Sequence, residues 1–240
     1  MKRIAILLIS VVLLLNASAC SLFDDGFDDT PETEAAFAAY EAAVKQSIAH
    51  KSGTIHISTE NKDSLEKTET LGVIEYTYSV DSEGRVTFDR VDYTDGKKVA
   101  AYKGDGKKAN QWDPETDTWQ DATEPLAGFL DQETNTMNDL SLFRIDNSFE
   151  YNKRFFETVE VKEAAGEKVI TVVLKGSEVT EMMSYTDERE IKREMAGQTR
   201  TYYVNAAGDF YKIVVESIQN IEYQGKDGVL SSVMTVDITY

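Results

Sequence analysis

The chain has 240 residues, a formal net charge of −18 and 41% hydrophobic side chains, with a single cysteine. A surface this acidic is repelled by nucleic-acid phosphates and by anionic lipid headgroups, so charge neither brings the protein to nucleic acid nor holds it on a membrane. One cysteine allows no internal disulfide, so the fold must stand on packing alone, for which this length and apolar content suffice.

Lys2 and Arg3 precede an apolar run from Ile4 to Leu15, and Asn16-Ala17-Ser18-Ala19-Cys20 follows. The run has twelve residues, whereas a membrane-spanning helix needs about 20. The pattern of basic start, short apolar core and small residues is that of a cleaved secretory signal. Small residues immediately before a cysteine resemble the lipobox of bacterial lipoproteins, with Ala17 where that family more often has leucine. The resemblance implies a signal peptide over residues 1–19, cut after Ala19. It also implies Cys20 as the lipid-attachment residue and a mature chain held by acyl chains at the extracytoplasmic face of the cell membrane. In a host with an outer membrane that face is the periplasmic side. Two or more acyl chains are needed for stable anchoring. Ser21 to Pro31 carries four aspartates, a glycine and a proline without periodicity, so residues 20–31 read as the lipidated cysteine and a flexible acidic tether.

The first helix begins at Thr30, a suitable N-cap, with Pro31 at the first helical position and Glu32 and Glu34 near the positive end of the dipole. Phe37, Tyr40, Val44 and Ile48 form one apolar stripe among alanines, and Gly53 is the expected stop. From Thr54 the period becomes two. Strands are expected at Ile55–Ile57, Ile74–Val80, Val86–Tyr93 and Val99–Tyr102, with a phase slip near Arg90 that reads as a bulge. Asn110 to Trp112 and Thr118 to Gln120 flank Asp113-Pro114-Glu115-Thr116-Asp117, a hairpin with a proline-initiated turn. Leu126, Phe129 and Leu130 fit a short helix.

Strands resume at Phe155–Val161 and Val169–Leu174. A second helix is then expected from Ser177 to about Ala196, ended by Gly197, carrying Val179, Met182, Met183, Ile191 and Met195. The tail reads as Thr201–Val204 and Phe210–Val215 around the loop Asn205–Asp209. Ile218–Tyr223 then turns through Gly225-Lys226-Asp227-Gly228 into the strand Leu230–Tyr240. No glycine- or proline-rich linker divides this stretch, so residues 32–240 read as one domain built on one continuous sheet.

Catalytic signatures are scarce. His50 and His56 form no spaced metal motif and follow no nucleophile elbow; the plainer reading makes them incidental surface or sheet residues. Ser64-Leu65-Glu66-Lys67 matches the short Ser-x-x-Lys pattern of penicillin-recognising enzymes, but its companion motifs are missing. Asp113, Glu115, Asp117, Asp121 and Glu124 echo the oxygen spacing of a calcium loop, yet Thr118 stands where such a loop requires glycine. No cofactor and no metal are expected. Methionines adapt to irregular apolar ligands, which makes Met182, Met183 and Met195 the candidate apolar ligand contacts. Packing on the sheet is the competing role for all three.

Three features together resemble the LolA/LolB and LppX-like lipoprotein carriers. They are the lipobox, the Phe37–Ile48 helix followed by Thr54-Ile55-His56-Ile57, and the hairpin Tyr202-Tyr203-Val204-Asn205-Ala206-Ala207-Gly208-Asp209-Phe210-Tyr211. The resemblance implies an α+β fold: an antiparallel sheet curved into an incomplete barrel around an N-terminal helix and a later helix. It also implies a non-catalytic lipoprotein that holds a lipid or other apolar ligand between sheet and helix. The alternative is a surface interaction or regulatory lipoprotein that engages an envelope protein without a small-molecule ligand. The membrane, through the acyl chains, is the expected partner in either case, and nucleic acid in neither.

Overall fold

The computed structural model describes residues 30–130, 156–174, 185–186 and 191–240. Its one helix among these residues, α1, spans Pro31–Ile48. The Thr30 hydroxyl accepts the Thr33 N–H while the Thr33 hydroxyl accepts the Thr30 N–H, a capping box that satisfies two otherwise open donors. Phe37, Tyr40 and Val44 are buried along the expected stripe, with Ala36 and Ala43 between them as the small residues that let the helix approach closely.

The helix ends five residues earlier than Gly53 predicts, at Ile48, and Gly53 lies inside the first strand. A Cβ at Gly53 would sit 3.0 Å from both the Thr239 carbonyl oxygen and the Tyr78 ring. Close approach of two strands and a ring, rather than helix termination, accounts for this glycine.

Among the described residues twelve strands form one sheet: β1 Ser52–Asp63, β2 Thr68–Val80, β3 Val86–Thr94, β4 Lys97–Asp105, β5 Ala109–Asp113, β6 Thr118–Asp121, β7 Phe156–Ala164, β8 Glu167–Leu174, β9 Tyr185–Thr186, β10 Lys192–Val204, β11 Phe210–Tyr223 and β12 Lys226–Thr239. Their order is β6-β5-β4-β3-β2-β1-β12-β11-β10-β8-β7, with β9 pairing on β10, and every pairing is antiparallel. Two meanders, β1–β6 and β7–β12, thus meet where the first and last strands pair. The edges β6 and β7 are not paired with each other, so the sheet is an open, incomplete barrel of the α+β class. A short 3-10 turn at Ala127–Phe129 follows β6 and lays Phe129 on Phe88, with ring centroids 5.8 Å apart.

Three hairpins turn on two residues with positive φ: Asp95-Gly96, Ala165-Gly166 and Gln224-Gly225. Such turns match the twist of the flanking strands. The last of them corrects the expected Gly225–Gly228 turn: Lys226 already pairs with Tyr223. The two expected strands Phe210–Val215 and Ile218–Tyr223 are likewise one strand.

The expected second helix is corrected over its described residues. Tyr185–Thr186 and Lys192–Ala196 are strand, and Ile191, Arg193 and Met195 are buried in alternation with Lys192 and Glu194. Ile191 and Met195 fit a helical i,i+4 spacing equally well, and the buried Arg193 between them is what the hydrophobic pattern conceals. The remaining residues of that segment, Met182 and Met183 included, lie outside the described ones. Among the described residues the late-chain core is built of strands, and α1 is the only helix against the sheet.

The core gathers around Tyr40. Its ring meets Tyr202 edge-on at 5.1 Å and Phe210 at 5.7 Å, and Tyr202 and Phe210 are themselves 5.7 Å apart. The Ser47 hydroxyl accepts the buried Phe210 N–H at 2.9 Å, fixing the end of α1 to the start of β11. Beside it, His50 Nε2 lies 2.7 Å from Asp209 Oδ1, and the His50 ring stacks on Tyr240 at 4.0 Å.

Candidate functional site

Strand alternation assigns each side chain to one face of the sheet. The face that carries the core can be followed strand to strand through the register. One row runs Val161, Ile170, Tyr202, Ile213, Val236 and Ile57. The next row runs Val159, Val172, Arg200, Val215, Met234 and Thr59. Beyond it lie Leu174, Gln198, Ser217, Ser232 and Asn61. The inner face therefore changes character along the strands, from continuous apolar at the helix to mixed polar and apolar away from it.

Burial varies across the strands instead: Val159, Val172 and Leu174 on β7 and β8 are buried in every row, and the openness lies towards β11, β12, β1 and β2. Ile213, Val236 and Tyr202 are fully buried, whereas Ile57, Val215 and Met234 on the same face are only half-buried. Ile74 and Leu230 are half-buried as well. Met195, the one described member of the expected methionine contacts, is buried on β10 beside a register shift and opposite Gln219. Cys20, Met182 and Met183 lie outside the described residues.

Charge occurs on this inner face. Arg90 and Asp92 form a two-point ion pair, Nε to Oδ1 at 2.8 Å and a terminal nitrogen to Oδ2 at 3.1 Å, and the Arg90 guanidinium lies 5.6 Å from the Tyr102 ring. This pair explains the apparent phase slip in β3. Val86, Phe88, Arg90 and Asp92 keep one face without interruption, and the irregularity lies instead in the β3–β4 pairing, between Asp92 and Tyr93. Arg200, 7% exposed, is a further inner charge, as is the buried Arg193. The Arg200 Nε–H donates to Gln198 Oε1 at 2.6 Å. The Tyr202 hydroxyl lies near the Arg200 guanidinium but finds no hydrogen-bond partner among the described residues, nor does Gln219 Oε1. Burial pushes the Tyr202 hydroxyl upward from its ordinary value, with Arg200 partly offsetting the effect, and pushes Tyr78 up to about 12.

The other candidate groups serve turns and contacts. Ser64 Oγ accepts the Val229 N–H at 2.7 Å, and residues 64–67 form the β1–β2 connection. In the β5–β6 hairpin, Asp113 accepts from Glu115 N–H and Gln120, Asp117 from the Trp112 indole, and Asp121 from Thr123 N–H. Each of these carboxylates is thereby directed to its own turn, and among the described residues no three His, Cys, Asp or Glu side chains gather as a metal site. His50 and His56 are separate: His50 clasps Asp209, and His56 lies exposed on β1. On the outer face, Lys98 sits 3.9 Å over the Trp112 ring and Lys103 4.0 Å over Trp119. These cation–π contacts brace the sheet edge.

Sequence reasoning missed Arg200. The signal was present, since Gln198, Arg200, Tyr202 and Val204 alternate with Thr199, Thr201 and Tyr203, but a polar residue at an inner position reads as an interruption of the apolar pattern.

No protein-family model matches the chain, and no curated protein matches it. Among solved structures, LprF from Mycobacterium bovis aligns at TM-score 0.40 and 8% identity, over 86% of this chain and 92% of its own. A putative outer membrane lipoprotein-sorting protein domain from Vibrio parahaemolyticus aligns at TM-score 0.30 and 7% identity, over 86% and 92%. LolA superfamily protein NE2245 from Nitrosomonas europaea aligns at TM-score 0.28 and 10% identity, over 85% and 91%. Likenesses this distant say nothing about ligand or activity. Among the described residues no helix is long and apolar enough to cross a membrane.

Proposed function

We propose that this chain is a non-catalytic lipoprotein, anchored through Cys20 at the extracytoplasmic face of a cell membrane, that holds a lipid or other apolar ligand against the inner face of its half-barrel. The observation that carries the reading is the half-burial of Ile57, Ile74, Val215, Leu230 and Met234 on the face that elsewhere forms the core. Apolar side chains on an interior face ordinarily close against one another, because each buried methylene is worth about 0.8 kcal/mol. A row left partly open is surface that an apolar occupant can cover. On the outer face the exposed apolar side chains stand among polar ones: Ser231, opposite Ile218, separates Val229 from Val233, and Val233 lies in register between Glu60 and Glu216. That separation favours the inner-face reading over the engagement of an envelope protein through the outer sheet.

A neutral lipid bearing a photoreactive diazirine on its acyl chain, irradiated with the full chain in its native membrane, tests the assignment. Cross-links are expected on the half-buried Val215 and Met234. Cross-links confined to the outward residues Ile218, Val229 and Val233 would contradict it, because outer and inner residues alternate on the same two strands.

A further inference from the structure

The inner face carries a group that an apolar ligand alone does not explain. Arg200 is 7% exposed, lies in register between Val172 and Val215, and pairs with no carboxylate among the described residues. A guanidinium has five N–H donors. Only the Nε–H, to the neutral Gln198 amide, is engaged in a hydrogen bond to a described residue. A buried charge without a counter-ion is among the most unfavourable arrangements a fold can keep, and it is ordinarily removed by pairing or by substitution. The surrounding chain, at net charge −18, has acidic residues in abundance. The Arg90–Asp92 pair shows how the same inner face neutralises a cation when it carries its own anion.

Resting on the apolar-ligand reading, we propose that Arg200 binds the anionic headgroup of an amphiphile, a carboxylate or phosphate monoester, whose chain lies along Val215 and Met234. The register supports that geometry. Val215 flanks Arg200 and Met234 follows it in the same row, both half-buried, so a chain leaving the guanidinium on that side meets apolar side chains at once. The Tyr202 hydroxyl, two residues along the same face, beside the guanidinium and without a hydrogen-bond partner among the described residues, is a second donor for the headgroup oxygens. Arg suits this role because its planar fork offers two parallel hydrogen bonds to a carboxylate or phosphate. In the apolar surroundings that attraction is less screened than at the acidic surface.

The test compares a diazirine-bearing fatty acid with its methyl ester, both irradiated with the full chain in neutral detergent. The ester keeps the chain and loses the charge. Charge-assisted hydrogen bonds make the acid label inner-face residues about tenfold or more better than the ester. Arg200→Met removes that preference, and Arg200→Lys keeps part of it. Dodecyl phosphate competes with the acid, whereas inorganic phosphate at the same concentration does not, which separates an amphiphile's headgroup from a free anion.

Equal labelling by acid and ester overturns the assignment to Arg200 while leaving the apolar-ligand reading intact. Failure of both to label the inner face overturns the apolar-ligand reading itself. Competition by inorganic phosphate as strong as by dodecyl phosphate overturns the amphiphile. Stability gives a second readout. Without ligand, Arg200→Met holds or raises the Tm, since it replaces a buried charge that has no carboxylate partner among the described residues by an apolar side chain of similar length. A marked fall in Tm would show that the guanidinium is satisfied within the protein and would contradict the proposal.

Discussion

Phe210→Ala is expected to destabilise the protein by about 3–5 kcal/mol, the usual cost of emptying a fully buried aromatic position. Phe210 is fully buried and completes the three-ring contact with Tyr40 and Tyr202. Removing it takes away the surface on which α1 rests and leaves a cavity at the junction of helix and sheet. For a chain of this size each kcal/mol corresponds to about 2–4 °C, so a Tm loss of roughly 6–20 °C follows. Phe210→Leu refills most of the volume and should cost less than about 2 kcal/mol. Ile218→Ala, at a position 50% exposed on the neighbouring outward face, is the control and should stay within about 0.5 kcal/mol. Thermal unfolding of the three variants reads the ordering directly. A Phe210→Ala loss no larger than that of Ile218→Ala would mean that α1 is not docked on this sheet.

Cys20→Ser is expected to act on location rather than stability, and its effect is all-or-none. In the proposed lipoprotein the thiol is the only point at which acyl chains attach, and the chain contains no second cysteine to replace it. Each buried acyl methylene contributes about 0.8 kcal/mol, so a single chain holds a protein marginally and two hold it stably. The acidic domain supplies no electrostatic attraction to anionic lipid in their place. Growth with an alkyne-tagged fatty acid should label the wild-type chain and leave Cys20→Ser unlabelled, with residues 1–19 retained. A Cys20→Ser chain cleaved at the same place as wild type would show an ordinary secretory signal with an incidental cysteine.

The legible parts of the fold are those where apolar periodicity and turn chemistry agree. Thr30-Pro31 followed by the Phe37–Ile48 stripe marks α1, and Asp113–Asp117 marks the β5–β6 hairpin. Errors arose where the inner face becomes polar. Arg90 and Asp92 occupy inner positions in unbroken alternation, yet they interrupt a hydrophobic count and imitate a bulge. Arg193 does the same in β10, where Ile191 and Met195 are spaced for either a strand or a helix. Gly53 was legible as a special position but not as a contact, because the Thr239 carbonyl and the Tyr78 ring that crowd it come from distant sequence. The candidate site follows the same rule. Met195 could be named from its chemistry, whereas the importance of Arg200 depends on its burial and on the absence of a described carboxylate partner, and neither is a property of the sequence alone.

The central claim is that the inner face of the half-barrel holds an apolar ligand. Native mass spectrometry of the full chain, taken from its host's membranes in neutral detergent, measures this most directly. The predicted result is a population heavier than the covalently acylated chain by the mass of one lipid, and that lipid dissociates when the protein is unfolded. A chain carrying only its covalent acyl mass under the gentlest conditions, with Val215 and Met234 inaccessible to photoreactive lipid, would contradict the claim.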